Sequence, residues 1–201
     1  MGTVVVDLSM SLDGFIAGSD DGPGQPLGRG GEALFAWMTA GPAANRVEAR
    51  IAPPDAGRAI ADEWMSDVGA LISGRRTFDI ARGWKSGHPI DAPIFVVTHE
   101  APEQGEWSPR VSFVTDGIDH ALELAQAAAG DRKVSVCAAD TAQQLLRAGK
   151  LDEIQVSVVP VLLGSGVRLL SHLGPDPIVL EQTRVIESEG VTHLRYRVVR
   201  A

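Results

Sequence analysis

The chain opens on a run of β-branched and aliphatic residues, Thr3-Val4-Val5-Val6-Asp7-Leu8-Ser9, which predicts a buried first strand over 3–9. Short apolar runs of the same kind predict strands at 69–73, 93–98, 111–115, 133–137 and 152–159. Between them the apolar positions fall at helical spacing. Helices are expected at 32–39, at 55–67 behind Pro53-Pro54, from Gly74 to about Arg82, at 119–129 and at 141–148. In the second of these, Ala59, Ile60 and Trp64 mark the inward side. Two alternating runs, 178–187 and 191–199, joined across Ser188-Glu189-Gly190, predict a C-terminal β-hairpin. Strands alternating with helices predict an α/β layered architecture, parallel where helices cross over and made mixed by the hairpin. No repeat and no linker divides the chain, so a single domain is expected over 1–201.

One stretch breaks the pattern. Between Asp13 and Gly31, seven of 19 residues are glycine (14, 18, 22, 24, 28, 30 and 31). This composition predicts no regular element but a long mobile loop, of the kind that often serves as a lid. Its carboxylates, Asp20 and Asp21, read as solubilising groups.

Composition narrows the chemistry. Hydrophobic residues at 44% and charged residues at 22% are those of an ordinary globular protein. A net charge of −8 argues against nucleic acid as a partner, while leaving room for a small anion held by a few arginines. Cys137 is the single cysteine, so no internal disulfide forms, and the five scattered histidines make no metal-binding pair. No metal site and no membrane span are expected. The N-terminus lacks a basic-then-apolar leader, and Val6 stands where a myristoylation start needs Ser or Thr, so a cytoplasmic location is expected.

Three strand-to-helix segments are candidates for a ligand site, because open α/β sheets bind ligands outside the carboxyl ends of their strands. Gly74-Arg75-Arg76-Thr77 combines close backbone approach, two forked cations and a helix N-terminus, which suits a phosphate or a plain solvated turn. In Cys137-Ala138-Ala139-Asp140-Thr141, small residues leave room for a ligand, and Asp140 or Thr141 is the expected N-cap. Pro160 to Gly166 is too apolar for a phosphate loop. No Walker motif, no G-x-G-x-x-G and no G-x-S-x-G elbow occurs. Trp37 and Trp84 lie beside these segments and could wall a flat ligand, whereas Trp64 reads as core.

Ser11-Leu12-Asp13-Gly14-Phe15-Ile16-Ala17, Gly74-Arg75-Arg76-Thr77, Thr98-His99, Leu151-Asp152-Glu153-Ile154 and Pro160-Val161-Leu162-Leu163-Gly164-Ser165-Gly166 follow one another in an order that resembles the dihydrofolate-reductase-like family. The resemblance runs from about residue 3 to 199. It is nearest to the branch typified by the C-terminal reductase domain of the riboflavin-biosynthesis deaminase-reductase. It implies a three-layer α/β/α domain with a mixed central sheet and NADPH in a cleft. It also implies that Gly74, Arg75, Arg76 and Thr77 hold cofactor phosphates, with Thr98 and His99 at the adenosine end. Residues Cys137 to Thr141 would face the pyrophosphate and nicotinamide, and Ile16 and Ala17 would cover the ring. Trp37, Trp84, Leu163 and Gly164 are the corresponding substrate-side candidates. A homodimer through the C-terminal strands goes with the resemblance.

Two departures stand out. The family carries glycine where this chain has Ala138-Ala139, and an added methyl opposes both close approach and positive φ. The stretch 32–39 resembles the helix that carries the pterin-binding acid of true dihydrofolate reductases, and Leu34 takes the acid's place, so no dihydrofolate reduction is expected. The readings are therefore an NADPH-dependent reductase of a small cyclic or ribityl-type substrate, or a non-redox enzyme or ligand-binding protein on the same fold. The chain lacks a deaminase zinc motif. For the reductase, Asp13 is the first candidate acid.

Overall fold

The computed structural model describes residues 2–38 and 55–200. In chain order the elements are β1 (Val4–Ser11), β2 (Phe15–Gly18), a 3-10 turn (Gly31–Phe35), α1 (Asp55–Met65), β3 (Val68–Gly74), α2 (Arg75–Ile80) and a second 3-10 turn (Arg82–Trp84). They continue with β4 (Ile94–Val97), β5 (Val111–Val114), α3 (Ile118–Ala129), β6 (Lys133–Val136), α4 (Ala139–Arg147), β7 (Glu153–Val159), β8 (Gly166–Arg168), β9 (Leu180–Ser188) and β10 (Val191–Val198).

Eight strands form one sheet in the order β5-β4-β3-β6-β1-β7-β10-β9. The first six run parallel, and β10 is antiparallel to both its neighbours. The sheet is mixed, as expected, and the C-terminal hairpin is present.

Successive side chains of a strand face opposite sides of the sheet. On one side Val4, Val6, Ile72, Val134, Val136, Ile154 and Val156 pack against Ala121, Leu122 and Ala125 of α3 and Ala142, Leu145 and Leu146 of α4. Each fully buried aliphatic side chain there stabilises the fold by about 1.5–3 kcal/mol. The opposite side carries two smaller apolar clusters. Leu71, Ile94, Val96 and Val111 lie with Phe78 of α2, and Val159 and Val191 lie with Leu34, Trp37, Ile60 and Trp64. Between these clusters the sheet presents polar groups: Asp7, Ser9 and Ser11 on β1, Gln155 and Ser157 on β7, His193 and Arg195 on β10. Glu63 of α1 pairs with Arg184 and Arg195, each at 2.7 Å, and pins the helix to the hairpin.

Several expectations need correction. The stretch 13–31 is not devoid of regular structure, because Phe15–Gly18 pairs with the unforeseen strand Gly166–Arg168. Its glycines bring backbones into contact. A Cβ on Gly28 (φ +67°) would lie 2.2 Å from the carbonyl oxygen of Gly18, and one on Gly166 (φ +138°) 2.0 Å from that of Ala17. The expected helix 32–39 is a 3-10 turn, with Thr39 outside the described residues. The helix directly ahead of β3 is α1, so Leu34 does not occupy a place on it. Ala59 is exposed, and Ile60, Ala61 and Trp64 form the inward side of α1. The helix expected from Gly74 to about Arg82 is α2, which ends at Ile80 and gives way to the 3-10 turn Arg82–Trp84. No helix of the described residues is long and apolar enough to cross a membrane.

Gly166→Ala is expected to cost about 2 kcal/mol or more, from backbone clash and strain at positive φ. Urea unfolding of the variant checks this, and an unchanged midpoint would remove the close-contact account of β2 and β8.

Candidate functional site

The chain leaves β3 and β6 in opposite directions. From β3 it passes through α2 to β4, and from β6 it passes through α4 to β7, on the other side of β1. The two helices pack on opposite sides of the sheet. A crevice outside the carboxyl ends of two such strands is the general ligand site of open α/β sheets. The two segments singled out from sequence meet here. A Cβ added to Gly74 would lie 3.8 Å from Cβ of Ala138 and 3.9 Å from Cγ2 of Thr141.

The expected cap of α4 is corrected by the structure. The helix begins at Ala139 with Ala138 as its N-cap, and no side chain caps it. Asp140 bonds Gln144, and the Thr141 hydroxyl donates to the Ala138 carbonyl at 3.0 Å. The first N–H groups of α4 are thus left to the crevice. Ala138 has φ −144° and ψ 143°, extended backbone open to any residue, and its methyl is buried. The alanine requires no left-handed conformation, and that objection to a cofactor lapses.

The arginines of α2 are tethered. Arg75 bonds the Asp79 carboxylate at 3.0 Å and the Glu100 carbonyl at 3.0 Å, and the Thr98 hydroxyl donates to that same carbonyl at 2.8 Å. This joins the turn after β3 to the turn after β4, where His99 is exposed. Arg76 pairs with Asp21, and Arg82 donates to the Pro23 carbonyl at 3.0 Å. Asp21 is therefore no solubilising group: its side chain is only 10% exposed and folds the 19–28 segment onto α2. The pairing raises the Arg76 guanidinium above its ordinary value. Thr77 is half-buried beside them.

Asp13 has a different task from the acid expected of it. Its carboxylate accepts the Ser11 hydroxyl at 2.6 Å and the backbone N–H groups of Leu163 and Gly164 at 3.2 and 2.8 Å. The Ser11 bond above all, then these N–H groups, holds its carboxyl below the usual carboxylate range. At neutral pH it carries no proton to give. It clamps the β7–β8 connection to the β1–β2 turn, and Arg168 completes the clamp on the Asp13 carbonyl.

The remaining candidates fall as follows. Ile16 and Ala17 lie on β2, with Ala17 buried. The Cys137 thiol donates to the Ile72 carbonyl at 3.4 Å, and burial pushes it up, away from reactivity. Trp37 is buried, donates to the Ser9 hydroxyl at 3.0 Å and stands edge-on to Trp64 and His193, so its ring belongs to the core rather than to an open wall. Trp84 lies beyond the far end of α2 from Gly74, edge-on to Phe78 and His88. Leu163 packs on the Trp37 cluster, while Gly164 is exposed. Sequence reasoning passed over Asp7, a lone acid inside a Val-rich strand, and Ser73, next to Gly74. Among the described residues, no three His, Cys, Asp or Glu are grouped to hold a metal.

A mixed eight-stranded sheet with helices on both sides and a crevice at the divergence of β3 and β6 is the dihydrofolate-reductase-like fold. The model of the RibD C-terminal domain matches residues 2–194. The chain belongs to the RibD C-terminal domain family, a family of reductases. It is similar to the structure of a protein of Shewanella sp. PV-4 ascribed to riboflavin biosynthesis, with 22% identity, all of both chains covered and a TM-score of 0.70. Acinetobacter baumannii RibD matches at 17% identity and TM-score 0.59, over 100% of this chain and 59% of that longer one. Dihydrofolate reductase of Enterococcus faecalis, in complex with NADP(H), matches at 12% identity and TM-score 0.56, over 98% and 96%. A search of curated proteins finds no match.

Asp13→Asn is expected to lower stability at neutral pH by weakening the clamp. A carboxyl whose folded pKa is depressed contributes stability above its unfolded value, near 3.8, and loses it as pH falls through the lower folded value. Unfolding midpoints of wild type and variant should therefore differ at pH 7 and converge toward pH 2. Equal midpoints at pH 7 would remove the clamp.

Proposed function

We propose that the protein is an NADPH-dependent reductase of a small cyclic or ribityl-type substrate. One observation carries this reading: Gly74 and the uncapped N-terminus of α4 adjoin each other where β3 and β6 diverge. The donor set fits a dinucleotide phosphate. Uncapped N–H groups of α4, the Gly74 backbone, Thr77 and the guanidinium of Arg75 suit the anion, and the groove formed by Arg75, Phe78, Arg82 and Trp107 suits its adenosine end. When bound, the reduced nicotinamide supplies a hydride. The chain's own work is to position and to exclude water. Arg75 anchors the phosphate end while held by Glu100, and the β2–β8 pair, clamped by Asp13, covers the crevice beside Ile16 and Ala17. A homodimer with the exposed β9 edge as its contact, and a cytoplasmic location, accompany this reading.

The Arg76–Asp21 pair favours a second reading, in which the same crevice serves a non-redox reaction or ligand binding. Carboxylates already pair with both cations that the cofactor would need, Asp21 with Arg76 and Asp79 with Arg75, and the Asp21 side chain is the more buried of the two.

Titration with NADPH and NADH, followed by calorimetry and nicotinamide fluorescence, separates the two. The reductase reading expects micromolar NADPH binding, weakened about tenfold in Arg75→Ala by loss of a charge-assisted bond. Asp21→Asn should bind NADPH more tightly, and Ala138→Gly about as well as wild type. Binding recovered only in Ala138→Gly or Asp21→Asn supports the second reading. Absence of binding in all of them overturns the site.

A further inference from the structure

The side of the sheet facing α1 and α2 carries one unbroken polar row just beneath the crevice. Register fixes it strand by strand. Ile72 of β3 and Val6 of β1 both pair with Val136, which puts Ser73, Cys137 and Asp7 one step further along their strands, on the same side. Asp7 pairs with Gln155, Gln155 with Arg195, and Arg195 with Arg184. Neighbouring strands lie about 4.8 Å apart, so Asp7 stands one strand from Cys137-Ala138 and two from Ser73-Gly74.

Polar atoms without partners concentrate on this side. Among the described residues, five buried side-chain N or O atoms lack a hydrogen-bond partner: Asp7 Oδ1, Trp64 Nε1, Ser73 Oγ, Ser188 Oγ and His193 Nε2. By strand parity and by the position of α1, all five lie on this side of the sheet or on the helix covering it. Native interiors satisfy most such atoms; of the five, Asp7 Oδ1 and Ser73 Oγ stand in the row beneath the crevice, where an unpartnered polar atom points to something it binds. Asp7 alone among them is a carboxyl, and it sits at the level of the turns that frame the crevice.

Resting on the reductase reading, we propose that Asp7 is the proton donor of this site, serving the substrate atom that receives the electron pair when hydride is delivered. In that step a reduced nicotinamide loses hydride and is oxidised, and a C–H bond forms at an unsaturated carbon of the substrate. The π pair of its C=N or C=O bond moves to the heteroatom. That atom takes the Asp7 proton as the carboxyl O–H bond breaks, and the resulting carboxylate regains a proton from solvent.

The charges around Asp7 are compatible with this. Lys133 of β6 and Arg195 of β10 favour its ionised form, while Glu153 of β7 and Glu63 of α1 oppose it. Cys137, on the neighbouring strand, and His193, two strands away, stay neutral, the thiol pushed up and the imidazole pushed down to about 4, both chiefly by burial. Burial outweighs the two cations and raises Asp7 from 3.8 to about 8, so it holds its proton at pH 7. Asp13, by contrast, is ionised and committed to a backbone clamp.

The test uses the full chain with ¹³C-labelled aspartate, the Asp7 resonance being assigned by its loss in Asp7→Asn. Its titration midpoint is expected near 8. Saturating NADP+, whose oxidised ring is positive, should lower that midpoint by about one unit and release about half a proton per site at pH 7.5. NADPH should release none, and Asp7→Asn should bind NADP+ without release. The isosteric variant should fold at least as stably as wild type at neutral pH. A raised carboxyl pKa contributes stability that is lost as pH rises toward the folded value, and the amide lacks that loss. A carboxylate at pH 7 in the unliganded protein overturns the proposal, as does NADP+ binding with neither shift nor proton release. Failure to bind NADP+ or NADPH is a different result, which removes the reductase reading and this proposal with it.

Discussion

The parallel pairing of β3, β6 and β1 is the constraint on which the rest of the molecule depends. Parallel neighbours cannot be joined by tight turns, so each needs a long crossover, most often a helix. Here the crossovers from β3 and β6 go opposite ways and pack on opposite sides. The crevice is a consequence of that divergence rather than of any one side chain. Gly74 and Ala138 are neighbours because Ile72 and Val136, two residues before them, are in register.

The two sides of the sheet then take different tasks. The side under α3 and α4 is predominantly apolar and carries the largest of the buried apolar clusters. The other interrupts its apolar clusters with Asp7, Ser9, Gln155, Ser157, His193 and Arg195, several of them buried. Burying polar groups without partners is costly, and the face that carries this cost is the one that meets the crevice. The Glu63 pairs with Arg184 and Arg195 hold α1 over it, and the Trp37–Trp64–His193 rings fill its middle.

The glycine-rich stretch shows a composition signal that was read correctly as unusual and incorrectly as loose. Its glycines admit close backbone contacts with Arg29 and Gly166, and its acids pair with Arg29 and Arg76. Composition reports that backbone must go where a Cβ cannot. It does not report whether the reason is freedom or compression, since both favour glycine.

The strands of the eight-stranded sheet, the helices α1, α3 and α4 and the terminal hairpin are legible from the chain alone, because period and turn chemistry are local properties, whereas the β2–β8 pair is not. Gly74 and the Cys137 segment were legible as candidates for the same reason. Partnership was not. That Asp13 would spend its carboxylate on Leu163 and Gly164, 150 residues away, depends on β1 and β7 lying side by side. That Trp37 would stand edge-on to His193 depends on β10 closing the sheet next to β7. Asp7 reads as one acid in a valine-rich strand, and only pairing with β6 and β7 sets it level with the crevice. Local pattern specifies which residues form the strands of the main sheet and its long helices, and which could meet an anion. The tertiary structure decided which carboxylates are clamped, which are paired and which keeps a proton, because those states are set by burial and by neighbours distant in the chain.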